Sequence, residues 1–172
     1  MLKKIIILDR DGVINLDTHY PHKINEIIFM PYIFDVCKYL TNKGYELAVI
    51  TNQSGIGRGI FSNNEYLKVR DWIISKFEEH NIKFLEFLHC PHRPEINCEC
   101  RKPNTALYEI LKKKYPIDLS NSWAIGDRDT DVIAANKAGI KNTIFIGNQK
   151  ELKVSIDSNI VKSLEEIKNI IH

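Results

Sequence analysis

The sequence predicts an α/β fold with a central parallel sheet flanked by helices. Three observations lead there. Apolar strand-like runs alternate with segments of helical period along the chain. The first run, Ile5 to Leu8, is apolar at every position, as a strand covered on both faces requires. Polar clusters then follow several of these runs at the carboxyl ends, where open α/β sheets bind ligands.

The elements follow in order. The strand Ile5–Leu8 runs into Asp9-Arg10-Asp11-Gly12. While the chain stays extended, residues i and i+2 point to one side, so Asp9 and Asp11 are expected close together. A polar loop from Asn15 to His22 follows, and Pro31 is placed to open a helix whose apolar positions include Ile33, Val36, Cys37 and Leu40, ended by Gly44. A second strand spans Glu46 to Ile50 and ends in Thr51-Asn52-Gln53-Ser54, followed by a glycine-rich turn through Gly59. Ser62 or Asn63 caps a helix from about Asn64 to His80, with Val69, Ile73 and Phe77 on one face. Phe84 to Leu88 is a third strand, Thr105 to Tyr115 a helix stopped by Pro116, and Trp123 to Ile125 a fourth strand ending in Gly126-Asp127-Arg128-Asp129-Thr130-Asp131. A helix runs to Gly139, Thr143 to Ile146 is a fifth strand, and Leu164 to Ile171 a last helix.

The 172 residues suit one domain, 1–172, with a real core. Lys and Arg number 24 against 22 Asp and Glu, so no basic surplus calls for nucleic acid. No apolar stretch approaches membrane-spanning length, and the four apolar residues before Asp9 are too few for a signal-peptide core. A cytoplasmic monomer is expected. In that compartment the four cysteines argue for metal binding or packing and against disulfides.

Asp9/Asp11, Thr51/Asn52 and Asp127/Asp131 all stand at carboxyl ends of expected parallel strands, so they should meet in one crevice. Converging carboxylates repel in a low dielectric; Mg2+, with Lys102 beside it, resolves the repulsion. A phosphorylated guest follows from that charge pattern. The plainer alternatives are solvated strand-end aspartates and, for Asp131, helix N-capping. Cys90, His92, Cys98 and Cys100 form a Cys3His set in one short loop, which suits a closed, structural Zn2+. Cys37 falls on an apolar helix face and is read as core, and His89 points away from the loop if the strand continues.

Asp9-Arg10-Asp11-Gly12-Val13, Thr51 in Val-Ile-Thr-Asn-Gln-Ser, Lys102 in Arg-Lys-Pro and Gly-Asp-Arg-Asp-Thr-Asp resemble, in order and spacing, the four motifs of the haloacid dehalogenase superfamily of phosphatases. The resemblance covers Ile5 to Gly139. Within that superfamily, Arg58-Gly59, Cys90-Pro91-His92 and Cys98-Glu99-Cys100-Arg101-Lys102-Pro103 are similar to the D-glycero-D-manno-heptose 1,7-bisphosphate 7-phosphatase family. The resemblance implies a Rossmann-like fold without a large cap domain. It implies Asp9 as nucleophile, Asp11 as acid and base, and Thr51 and Lys102 as holders of the phosphoryl group. Mg2+ would sit on Asp9, the Asp11 carbonyl and Asp127. Asp17, Thr18, His19, Tyr20, Asn52, Gln53, Ser54, Arg101 and Arg128 match positions that touch the sugar or its other phosphate. The product would feed surface polysaccharide precursors. One departure is a shorter segment between His92 and Cys98. A histidinol-phosphate phosphatase and a non-catalytic zinc-stabilised binding module are the alternatives.

Overall fold

The structure is a computed structural model that describes residues 2–172. Six parallel strands form one sheet in the order β3-β2-β1-β4-β5-β6. They are β1 (Ile5–Leu8), β2 (Glu46–Asn52), β3 (Phe84–Cys90), β4 (Trp123–Gly126), β5 (Asn142–Ile146) and β6 (Asn159–Val161). The helices are α1 (Ile33–Asn42), α2 (Ser54–Gly57), α3 (Asn63–Glu79), α4 (Ala106–Lys114) and α5 (Asp129–Lys137), with 3-10 turns at Ile24–Glu26, Pro94–Ile96 and Leu164–Asn169.

Alternate strand residues feed two cores, which is why the strands read as continuous apolar runs. Ile6, Leu8, Leu47 and Val49 pack with α1, α3 and the C-terminal turn. Ile5, Ile7, Ala48 and Ile50 pack with α4 and α5 on the opposite face. On the first face, Phe77 meets Phe29, Phe34 and Phe84 with ring centroids 4.7–6.0 Å apart. The Tyr39 hydroxyl donates to the Ile171 carbonyl at 2.8 Å and ties down the C-terminus.

The strand order reverses direction at β1, with β2 on one side and β4 on the other. The crevice for a ligand therefore lies beyond the carboxyl ends of β1 and β4. Several boundaries differ from the sequence expectation. Helix α1 starts at Ile33, after a Tyr32 in the left-handed region, two residues beyond Pro31. Strands β2 and β3 each run two residues further, to Asn52 and Cys90. The glycine-rich turn contains the one-turn helix α2, the edge strand β6 is an addition, and the last helix is 3-10 and ends at Asn169.

Phe77 is fully buried among three aromatic rings. Phe77→Ala should lower the free energy of unfolding by about 3–5 kcal/mol, whereas Ile110→Ala, at an exposed position of α4, should change it by about 0.5 kcal/mol or less. Urea denaturation of both variants checks this.

Candidate active site

Strand β1 stops at Leu8, and Asp9 is the first residue beyond it, held to β4 by its N–H donating to the Ile125 carbonyl at 3.0 Å. The chain then folds into a tight loop in which the N–H groups of Ile14 and Asn15 both donate to the Arg10 carbonyl. The chain bends at Arg10, and Asp9 and Asp11 both border the same cleft. Asp9 also meets Asp127 and Asp131, and the oxygens of the three come within 4.8 Å of one another. Gly12 sits at φ +84°, and a Cβ there would lie 2.1 Å from Asp127 Oδ2, so a glycine is needed for the Asp127 carboxylate to enter.

Lys102 lies between these acids. Its Nζ is 2.6 Å from Asp131 Oδ1 and 3.1 Å from Asp9 Oδ1, and donates to the Ile50 carbonyl at 2.5 Å. Burial works against the Lys102 ammonium, yet Asp131 and Asp9 outweigh it and hold its pKa above the ordinary lysine value. Burial pushes the Asp9 carboxyl up; Lys102 opposes that shift and Asp131 adds to it. Burial, then Asp9 and Asp131, push Asp127 up to about 8. Asp127 Oδ1 is buried with no protein partner. Crowded hard oxygen donors with one orphaned carboxylate oxygen fit Mg2+. Asp131, third residue of α5, accepts the N–H of the N-cap residue Arg128 on Oδ2 at 3.0 Å, so it supports the helix start without being its N-cap. Asp9 Oδ1 accepts from the Arg10 N–H and faces Lys102, while Oδ2 has no protein partner among the described residues.

The Asp11 carboxylate is gripped from three sides, by the Arg10 guanidinium, by Asn15 Nδ2 at 2.9 Å and by Gln53 Nε2 at 2.9 Å. It still borders the cleft of about 350 Å³ that opens over Asp9. Asp17, His19, Tyr20, Asn52, Ser54, Arg101 and Arg128 line that cleft, as does Arg58; Thr18 is exposed and does not. Arg128 Nη2 donates to Asp17 Oδ2 at 2.7 Å across its mouth. Thr51 lies fully buried below, its hydroxyl accepting from Gln53 Nε2 at 3.0 Å. Gln53 also borders the cleft but is nearly buried, and its amide nitrogen is engaged by Asp11 and Thr51. Thr130 and Pro94 are cleft residues that the sequence did not single out. Arg10 was visible only as a motif letter, because a long side chain can reach either solvent or core from that position.

The Cys90, Cys98 and Cys100 thiols and His92 Nδ1 converge, with contacts from 3.1 to 3.6 Å. Four donors around one Zn2+ at about 2.0–2.3 Å stand at comparable separations, so the cluster fits zinc with every position filled by protein. Cys37 is buried in the core, and His89 turns away to Asn63 Oδ1 at 3.0 Å. The loop docks on α2: Gln53 N–H donates to the Cys90 carbonyl and Gly57 N–H to the Pro91 carbonyl, both at 2.8 Å. A Cβ on Gly57 would come 2.8 Å from that carbonyl. Asn52 then clasps Lys102, accepting its N–H at 3.0 Å and donating to its carbonyl at 3.1 Å.

A family model described as HAD-hydrolase-like matches residues 99–164. A D-glycero-alpha-D-manno-heptose-1,7-bisphosphate 7-phosphatase from Photorhabdus laumondii is 37% identical over 83% of this chain and 82% of its own length. A D-glycero-beta-D-manno-heptose-1,7-bisphosphate 7-phosphatase from Haemophilus ducreyi is 35% identical over 88% of this chain and 87% of its own. The crystal structure of D,D-heptose 1,7-bisphosphate phosphatase from B. bronchiseptica, complexed with magnesium and phosphate, superposes with a TM-score of 0.87 at 29% identity over 97% of both chains.

Two outcomes are expected. Elemental analysis of protein purified without chelator should find about one zinc per chain, and Cys100→Ser should lose it together with thermal stability. Gly12→Ala should raise the Mg2+ concentration for half-maximal activity about 10–100-fold, as displaced supporting groups do at other metal sites; a metal titration of activity measures it.

Proposed function

The chain belongs to the D-glycero-D-manno-heptose-1,7-bisphosphate 7-phosphatase family of HAD-like hydrolases, and we propose that it removes the 7-phosphate of such a heptose bisphosphate to leave the heptose 1-phosphate. The observation that carries this reading is that one cleft is lined by Lys102 and by three arginines, Arg58, Arg101 and Arg128. Lys102 contacts Asp9 and Asp131 in that lining. A substrate with two phosphates suits that arrangement better than a monophosphate does.

In this reading Asp9 Oδ2, free of protein partners, attacks phosphorus, and the bond from phosphorus to the sugar oxygen breaks. Asp11 gives the departing oxygen its proton, then takes one from the water that cleaves the aspartyl-phosphate. Lys102 and the Thr51 hydroxyl hold phosphoryl oxygens. Asp9, Asp127 and the Asp11 carbonyl would hold Mg2+, which when bound neutralises phosphoryl charge. Asp17, His19, Tyr20, Ser54, Arg101 and Arg128, which line the cleft, receive the sugar and its second phosphate, and Thr18 stays outside it. Asn52 and Gln53, whose amides are engaged by Lys102 and Asp11, act through those residues. For a bisphosphate to reach Arg128, Asp17 must release it.

No helix among the described residues is long and apolar enough to cross a membrane. A cytoplasmic monomer remains part of the proposal. The cytoplasmic part is supported by three thiols that serve as zinc ligands only where they stay reduced.

The test is phosphate release with Mg2+ from α- and β-heptose 1,7-bisphosphate and from histidinol phosphate, side by side. At least a tenfold advantage in kcat/KM for one bisphosphate anomer is expected. An advantage for histidinol phosphate overturns the substrate while leaving the chemistry in place. Asp9→Asn should cost at least about 10³-fold in kcat, in line with nucleophile removal in other hydrolases. Unchanged turnover would remove the nucleophile assignment.

A further inference from the structure

Arg10 has the largest side chain that the fold buries completely, and it does not line the cleft. It therefore cannot touch a substrate. Its Nε and Nη2 donate to Asp11 Oδ1 at 3.0 and 2.8 Å, and Nη2 also reaches Oδ2 at 3.0 Å. The guanidinium is itself fixed. Nη2 donates to the Pro21 carbonyl at 3.0 Å, and the group stands 5.7 Å from the centroid of the Tyr66 ring. Nη1 is left buried without a partner, as is the Tyr66 hydroxyl. A fully buried arginine with an unmatched donor is a poor device for stability, because a well-packed apolar residue would usually serve as well or better. What the fork does supply is orientation. With Asn15 on Oδ1 and Gln53 on Oδ2, it fixes the rotation of the Asp11 carboxylate at the edge of the cleft.

From this geometry we propose that Arg10 is a positioning residue for proton transfer by Asp11. The inference rests on Asp11 being the acid-base group of the proposed reaction. In the first half-reaction the phosphorus–oxygen bond to the sugar breaks as the bond to Asp9 Oδ2 forms. The departing oxygen takes its proton from Asp11 and leaves as a hydroxyl. In the second, Asp11 takes a proton from water, the water oxygen bonds to phosphorus, and the bond to Asp9 breaks to release phosphate. Both transfers use the same carboxylate, and productive geometry tolerates only small errors in its placement.

Leaving-group dependence separates positioning from a merely structural role. A sugar alkoxide needs a proton as it departs, whereas 2,4-dinitrophenolate leaves without one. For Asp11→Asn, kcat/KM on the heptose bisphosphate should fall about 10²–10⁴-fold, the usual range for a lost general acid, and that on 2,4-dinitrophenyl phosphate by less than about tenfold. Arg10→Lys keeps a cation without the fork. It should show the same asymmetry at smaller scale, about 10–100-fold against less than about threefold, with zinc content and Mg2+ half-saturation as in the wild type. Arg10→Gln, which removes the charge, should lie between Arg10→Lys and Asp11→Asn, and provides a second route if the lysine variant does not fold. Equal losses on both substrates in folded Arg10 variants, with Asp11→Asn still asymmetric, overturn the role of Arg10 alone. Equal losses in Asp11→Asn overturn the acid-base reading itself, and the inference with it.

Discussion

One buried ammonium holds the site together. Lys102 Nζ stands between Asp9 and Asp131, two carboxylates that the end of β1 and the first turn of α5 deliver to one point. At contact distance and an effective dielectric of about 20, each such attraction amounts to several kcal/mol, set against a comparable desolvation cost. Without that cation the acids could not share the crevice in their charged forms. Burial is the main reason the Asp9 and Asp127 carboxyls are shifted upward, and the neighbouring carboxylates add to it. Three crowded carboxylates, one with a buried oxygen that has no protein partner, suit this donor set to a divalent ion.

The lysine depends in turn on a loop with little structure of its own. Between Cys90 and Lys102 the chain has one 3-10 turn, Pro94–Ile96, and exposed polar residues. Zinc binding would give this segment a fixed shape by adding metal-ligand energy to folding. Hydrogen bonds from Gln53 and Gly57 to the Cys90 and Pro91 carbonyls then set the loop on α2, and Asn52 receives Lys102. The same Gln53 reaches Asp11 through its side chain. The two candidate metal sites are thus joined by a short run of β2 and α2 residues, and the Cys90–Cys100 loop places both Lys102 and the Gln53 support of Asp11.

Much of this was legible in the sequence because the signals were redundant. The β1 run, the helix cap at Ser62 and the polar clusters after β1, β2 and β4 each carried a physical reason. What escaped did so for local reasons. Strand β6 has three residues, Asn159–Val161, too few for a period to show. Helix α2 is hidden in Ser-Gly-Ile-Gly, whose composition favours turns and whose geometry comes from docking the zinc loop. The last apolar segment was read as helix by its spacing, but tightens into 3-10 turns. The sequence places Asp9 and Asp11 together but does not show that Asp11 is held by Arg10, Asn15 and Gln53. Side-chain reach across loops decides such partners, and no one-dimensional pattern encodes it.

The central claim is that phosphoryl transfer runs through Asp9, within the cluster that Lys102 and a divalent ion balance. Its most direct test is a crystal structure of the protein with Mg2+ and beryllium trifluoride, which mimics a phosphoryl group bonded to a carboxylate. The account predicts beryllium bonded to Asp9 Oδ2, magnesium in contact with Asp127, and the Lys102 ammonium facing a fluoride. Beryllium on Asp11 or Asp131, or an occupied magnesium site with Asp9 unmodified, would contradict it.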